Sequence, residues 1–260
     1  MHQDSSLIDV TYDAYGVAGV VRLTLNRPDA FNALSEALID ALQAQLAAIA
    51  KSDARVVVIA AAGRAFCAGH DLKEMRATPS LDYYKALFAR CSKMMLAIQA
   101  LPQPVIARVQ GVATAAGCQL VAMCDLAVAA DSARFAVSGI NLGLFCSTPA
   151  VPLTRNVSRK AAFEMLMTGD FIDAPTALRE GLVNRVVPPD ELDEAVTALA
   201  ATICAKPREA VEAGKGLFYR QLEMGVEAAY QLAGQTMACN MMTDPALDGV
   251  QAFIDKRGAK

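Results

Sequence analysis

Residues 105–118 read Val105–Ile106–Ala107–Arg108–Val109–Gln110–Gly111–Val112–Ala113–Thr114–Ala115–Ala116–Gly117–Cys118. The first five are a short apolar run, rich in β-branched residues, that suits a strand buried on both faces. A turn of glycine and alanine follows, Gly111 to Gly117, and leads into an apolar helix. Asp125 to Ala129 then reads as a strand again. Strand, small-residue turn, helix, strand is the unit from which parallel sheets with right-handed crossovers are built.

The same alternation extends upstream. Val20 to Leu25 alternates, with Val21, Leu23 and Leu25 on one face, and Asn26–Arg27–Pro28–Asp29 breaks it. Ser35 is placed to cap a helix carrying Leu38, Leu42, Leu46 and Ile49. Val56–Val57–Val58–Ile59 is another buried strand, and Gly63 to Asp71 reads as loop. Ser80 starts a helix whose stripe is Tyr84, Phe88, Cys91, Met95 and Ile98, its Met and Cys residues reading as core packing; Pro102 and Pro104 end it. Downstream the pattern changes. Helices are expected over 158–168, 190–205, 207–222 and 226–242, with a last one from Asp244; only Leu182–Val187 interrupts them as a strand. The chain therefore divides into an α/β core, 1–190, and a helical region, 191–260, with no internal repeat of fixed period.

Composition closes several alternatives. Of 260 residues, 54% are hydrophobic and 20% charged, which is ample for a core. A net charge of −3 with scattered basic residues gives no field for nucleic acid. No uncharged apolar stretch reaches the roughly 18 residues of a membrane span. There are two histidines, neither paired with a cysteine at ligand spacing, so no metal is expected. Seven cysteines without a CxxC pair, behind a polar N-terminal segment, read as reduced thiols in a cytoplasmic protein.

Two loops share a design. Phe66–Cys67–Ala68–Gly69–His70–Asp71 and Gly111 to Cys118 each follow a buried strand and are built of small residues, which let another group approach the backbone. A helix starting near Ala116 aims free N–H groups outward. Two such amides converging on one oxygen stabilise a developing oxyanion or enolate, each donor contributing roughly 3–4 kcal/mol. From composition alone, a packing turn is the commoner account of these residues.

Motifs in order along nearly the whole chain resemble the crotonase (enoyl-CoA hydratase/isomerase) superfamily. Leu25 to Ser35 resembles its N-terminal motif, Phe66 to Met75 its first oxyanion loop, Val109 to Asp125 its second, and Asp248 to Arg257 its C-terminal signature. His70 after Ala68–Gly69, together with Ala115 to Leu120 and Gly143 to Pro149, is most similar to the enoyl-CoA hydratase domain-containing protein 3 group. The resemblance implies a spiral of ββα units with a helical C-terminal region, assembled as trimers or hexamers. It implies an acyl-CoA substrate and no further cofactor, as in a lyase of fatty acid metabolism. The His70 and Ala116 amides would hold the thioester oxygen. Coenzyme A would lie along Ala30, Ala68 and His70–Asp71–Leu72–Lys73, with Phe253 and Lys256 reaching adenine and phosphates.

The sequence also departs from that family. The positions of the two hydratase glutamates hold Gln119 and Gly139. An amide hydrogen-bonds a water but does not take its proton near neutral pH. Glu164 reads as a solvated helix residue. The His70 side chain is either an acid–base group or a polar wall. Ser147 is a candidate catalytic hydroxyl or a helix cap, Cys146 is packing, and Asp71 holds the amides of its own loop. Hydratase-like chemistry, acyl-CoA hydrolysis or decarboxylation, and non-catalytic acyl-CoA binding all remain open on these residues.

Overall fold

The computed structural model describes residues 6–258. The chain opens with strands β1 (Ile8–Thr11) and β2 (Val20–Leu25) and helix α1 (Glu36–Ile49), then β3 (Val56–Ala61), β4 (Ala65–Cys67), α2 (Leu72–Ala77) and α3 (Leu81–Ala100). It continues with β5 (Val105–Val109), β6 (Val112–Thr114), α4 (Ala116–Met123), β7 (Leu126–Ala130), β8 (Arg134–Ala136), α5 (Ser147–Asn156), α6 (Arg159–Thr168), β9 (Ile172–Asp173), α7 (Ala174–Glu180) and β10 (Arg185–Val187). Four helices close the chain: α8 (Leu192–Cys204), α9 (Arg208–Leu222), α10 (Val226–Met241) and α11 (Asp244–Gly258).

A six-stranded sheet runs β1-β2-β3-β5-β7-β10, parallel except for the hairpin partner β1. A four-stranded sheet runs β4-β6-β8-β9. Each of β3, β5 and β7 lies in the large sheet, and the strand after it crosses to the small one before a helix returns the chain. That is the repeated ββα spiral expected above, followed by the expected helical C-terminal region.

The β3 run is continuously apolar because both its faces are covered. Val57, Ile59 and Ala61 join the main core with Leu38, Leu42 and Leu46 of α1 and Met94, Met95 and Ile98 of α3. Val56 and Val58 point the other way, against Leu192, Val196 and Ala200 of α8. Ser35 caps α1 through the Leu38 amide, and Ser80 caps α3 through that of Tyr83.

Three readings are corrected here. The supposed loop 63–71 contains strand β4, and the supposed turn 111–117 contains β6. These three-residue strands make up half the smaller sheet and are too short to show a period. The strand expected over 182–187 pairs only over Arg185–Val187, with Leu182 and Val183 packed into the core instead.

Candidate active site

The two glycine-bearing loops meet. Leu34 donates its N–H to the Gly69 carbonyl (2.7 Å), and its own carbonyl accepts from the Asp71 N–H (3.1 Å). In an extended chain the intervening His70 N–H must point the opposite way. Gly69 sits at φ 93°, and a Cβ on it would lie 2.9 Å from Ala115 Cβ and 3.3 Å from Ala116 N. At Gly117 a Cβ would lie 2.0 Å from the Cys67 carbonyl oxygen. Both contacts need glycine, and together they bring the His70 stretch against the start of α4.

Ala116 is the first residue of that helix, where backbone N–H groups have no partner within the helix. Among the described residues neither its amide nor that of His70 donates to a backbone carbonyl. Ala115, just before it, holds φ 50° and ψ −119°, a conformation that side chains rarely adopt. Its N–H donates to Ala136 O and its carbonyl accepts from Gln119 N, both at 3.0 Å. Backbone strain is thus stored beside the Ala116 amide and held there by the small sheet.

Side chains brace the first loop. Asp71 caps α2 through the amides of Lys73 and Glu74 and receives the Arg27 guanidinium at 3.0 Å. Burial pushes its pKa up, but the hydrogen bond from Arg27 and those from the two amides outweigh this and hold the carboxyl below its usual range. Asn32, which the sequence analysis passed over, is fully buried at φ 54°. Its Nδ2 donates to Ala62 O and Ala65 O, and its Oδ1 accepts from Arg27 N.

The loops open onto a cavity of about 310 Å³. Ala68, His70, Leu72, Met75, Phe88, Ala115 and Ala116 line it, and Ser138, Gly139, Leu142 and Leu144–Pro149 complete the wall. Of the sequence candidates, Ala68, His70, Leu72, Ala116 and Ser147 reach it. Gln119 does not; it is buried in α4, and its Oε1 has no hydrogen-bond partner among the described residues. Ala30, Asp71 and Lys73 lie outside the wall, and Phe253 and Lys256 stand exposed on α11. Phe88, on the apolar stripe read from the sequence, faces the cavity, while Leu87 takes the core position. No carboxylate lines the cavity among the described residues.

Ser147 is exposed at the first position of α5, with its Oγ 3.4 Å from Phe145 O, so it does not cap the helix; Cys146 stands at the cap. The Cys146 thiol is buried, accepts from Gly139 N at 3.3 Å, and burial pushes its pKa up. At Gly139 a Cβ would meet Leu144 O at 2.6 Å and Cys146 Sγ at 2.7 Å. The His70 ring stands edge-on to Phe88 with centroids 5.5 Å apart, and its Nε2 has no partner among the described residues. Burial lowers its pKa to about 4, so the imidazole is neutral at pH 7.

That depression has a consequence for stability. The unfolded chain takes up a proton near pH 6.5, before the folded chain does, so stability falls as pH drops from about 6.5 toward 4. Removing the imidazole with His70→Gln is expected to reduce this loss. Urea midpoints of both proteins at pH 7.5 and 4.5 check it; an equal drop in the two would show that the ring is solvated.

Residues 16–260 match the family model described as enoyl-CoA hydratase/isomerase. The chain is 46% identical over 240 residues to the mitochondrial enoyl-CoA hydratase domain-containing protein 3 of Rattus norvegicus, covering 92% of this chain and 80% of that one. Its fold superposes on a crystal structure of an enoyl-CoA hydratase of Mycobacterium smegmatis with TM-score 0.94 and 63% identity, covering 97% of each chain. On the crystal structure of human enoyl-CoA hydratase domain-containing protein 3 the TM-score is 0.91 at 43% identity, covering 96% of this chain and 98% of that one. These findings overturn the cytoplasmic placement, because the curated relatives of rat, mouse, Xenopus laevis and human are named as mitochondrial. That placement rested on a missing apolar run, which speaks to secretion and not to amphipathic, polar organelle-targeting segments.

Proposed function

Since the chain belongs to the enoyl-CoA hydratase/isomerase family, we propose that it binds acyl-CoA thioesters and polarises their carbonyl between the His70 and Ala116 amides. The observation that supports this reading is the close approach of Gly69 to Ala115 and Ala116 and of Gly117 to Cys67, which brings the His70 and Ala116 stretches together beside one apolar cavity. A thioester oxygen held there gains charge as an enolate forms, and fixed donors in a water-poor site stabilise that charge without reorganising. Coenzyme A would run along Ala30, Ala68 and Asp71–Leu72–Lys73 outside the wall, with Phe253 and Lys256 toward its far end.

Efficient water addition is not part of the proposal. It needs a positioned base and acid, each contributing about 10²–10⁴-fold. The cavity wall carries no carboxylate among the described residues, Gln119 is buried in α4 outside it, and Gly139 has no room for a side chain. Substituting glutamate at 139 would therefore push the 144–146 stretch away and not restore a base. His70 serves as a neutral polar wall, and the hydroxyls on that wall are Ser138, Ser147 and Thr148, of which Ser147 is the exposed one.

A panel of acetyl-, crotonyl- and free CoA tests the reading, with calorimetry for affinity and mass spectrometry for products. Both thioesters are expected to bind more tightly than free CoA, with crotonyl-CoA left largely unhydrated. Equal affinity for all three removes the amide argument.

The protein is further proposed to assemble as a trimer or hexamer. Helix α10 buries no residue, and Phe218, Val226, Tyr230, Met237 and Met242 stand exposed along α9, α10 and the turn that follows. So much apolar surface on consecutive elements marks an association face. Light scattering should give three or six times the chain mass; 27.5 kDa would refute it.

A further inference from the structure

The two amide-bearing loops leave the smaller sheet on neighbouring strands, β4 toward His70 and β6 toward Ala116. Both strands are three residues long, and their parallel pairing is irregular. Ala65 lies opposite Val112 and Cys67 opposite Ala113, so β4 advances two residues while β6 advances one. A bulge in so short a pair leaves the ladder few bonds with which to fix register. Register is critical at this place. A slip of one residue moves one strand past the other by about 3.3 Å, more than the length of a hydrogen bond, and the two amides would no longer meet on one oxygen.

A side chain supplies what the ladder lacks. Gln110 stands between β5 and β6, on the segment that runs on to Ala116. Its Nε2 lies 2.9 Å from Ala61 O, 3.1 Å from Gly63 O and 3.1 Å from Ala65 O. These carbonyls belong to the end of β3, the turn after it and the first residue of β4. Three carbonyl oxygens around one end of the amide mark that end as the NH2 group. The other end, Oε1, is buried and has no hydrogen-bond partner among the described residues, so the side chain is used for its donors alone. Asn32 Nδ2 donates to the same Ala65 O at 2.9 Å, from the segment whose Leu34 pairs with the His70 stretch.

We propose that Gln110 is a positioning residue of the carbonyl site: it pins the start of β4 to the start of β6 and so sets the separation of the His70 and Ala116 amides. The inference rests on the acyl-CoA reading above and adds to it a residue outside the cavity wall. It predicts a split between ligands. The proposed coenzyme A path follows the first loop, whereas the thioester oxygen needs both loops. Loosening the register therefore weakens thioester binding and spares free CoA.

Gln110→Met matches the side chain in length and removes its donors. Calorimetry is expected to show butyryl-CoA binding about 10-fold more weakly to the variant, with free CoA unchanged within about twofold. Infrared difference spectra of butyryl-CoA carrying a 13C-labelled carbonyl are expected to show a smaller shift to low frequency on the variant than on the wild type. Ser80→Ala removes the cap of α3 and lowers stability without touching these strands, so it should leave both readouts unchanged. If Gln110→Met is too unstable to assay, Gln110→Asn carries the same expectation, since its amide is one methylene short of the three carbonyls. A Gln110 variant that keeps both its thioester affinity and the infrared shift overturns the positioning role and leaves acyl-CoA binding intact. Equal losses for butyryl-CoA and free CoA, or an effect of the same size in Ser80→Ala, also overturn it, because they mark a general loss of structure. A wild type that binds butyryl-CoA no better than free CoA removes the acyl-CoA reading and the role of Gln110 with it.

Discussion

Gly117→Ala is expected to abolish discrimination between thioesters and free CoA and to cost about 3 kcal/mol or more of stability. The added methyl would lie 2.0 Å from Cys67 O, 2.7 Å from Cys67 C and 2.9 Å from Cys67 Cβ. Two of these three atoms are backbone within β4, so no side-chain rotation relieves the clash. Either α4 shifts away from β4 or the strand leaves the small sheet. Both movements separate the Ala116 amide from the His70 amide, and the pair is what the proposed carbonyl site consists of. Gly111 makes a similar close approach to the residue before β4, with a Cβ 2.1 Å from Arg64 O, so Gly111→Ala should behave alike. Gly214→Ala is the internal control. It lies within α9 with nothing within 4 Å of its Cβ position, and the same chemical change there should stabilise by about 0.5–1 kcal/mol. Chemical denaturation and calorimetry on the three variants decide the matter. A Gly117→Ala protein that keeps both wild-type stability and its preference for thioesters would refute the site geometry described here.

Sequence exposes these relations unevenly. The large sheet was legible because its strands carry their own evidence: Val56 to Ile59 is apolar throughout, as a strand covered on both faces must be, and Val20 to Leu25 alternates. Capped helices were legible for the same local reason, Ser35 and Ser80 announcing α1 and α3. The smaller sheet was not, since β4, β6 and β8 have three residues each and lie between small residues that read as turns. The backbone donors at His70 and Ala116 came from the motif resemblance, because an amide leaves no mark in composition. Phe88 shares the sequence stripe without entering the core, for a geometric reason. At helical spacing Tyr84–Phe88–Cys91 is a regular stripe, but α3 turns its 87–91–94–98 row to the core and leaves Phe88 at the edge, facing the cavity. The lack of room at Gly139 comes from the chain folding back at Leu144 and Cys146, and the burial of Gln119 from the packing of α4, and no pattern along the chain records either.

The same holds for the polar cluster that fixes α9, and replacing Lys215 with alanine should cost about 3–5 kcal/mol. Lys215 is buried with its three donors all used, on Asp125 Oδ2 at 2.6 Å, Gln103 O at 2.9 Å and Ile98 O at 3.0 Å. Asp125 also accepts from Tyr219 OH and from Val105 N, each at 2.6 Å. One carboxylate therefore ties the first residue of β5 to two successive turns of α9. Burial lowers the Lys215 pKa and outweighs the opposing pull of Asp125 and their hydrogen bond, so the ammonium is held at a net cost and the cluster specifies position more than it adds stability. Truncating Lys215 leaves the Asp125 charge buried with only two donors and strands two backbone carbonyls, which is where the large penalty comes from. Asp125→Leu alone should be comparably harmful, since the ammonium is then uncompensated. The double variant Lys215→Met with Asp125→Leu removes both charges and keeps apolar volume, so its loss should be well below the sum of the single losses, with a coupling of about 2–3 kcal/mol. Denaturant unfolding of the wild type, Lys215→Met, Asp125→Leu and the double variant closes the cycle. Additive losses would mean that the two groups act independently and that α9 is held by its other contacts.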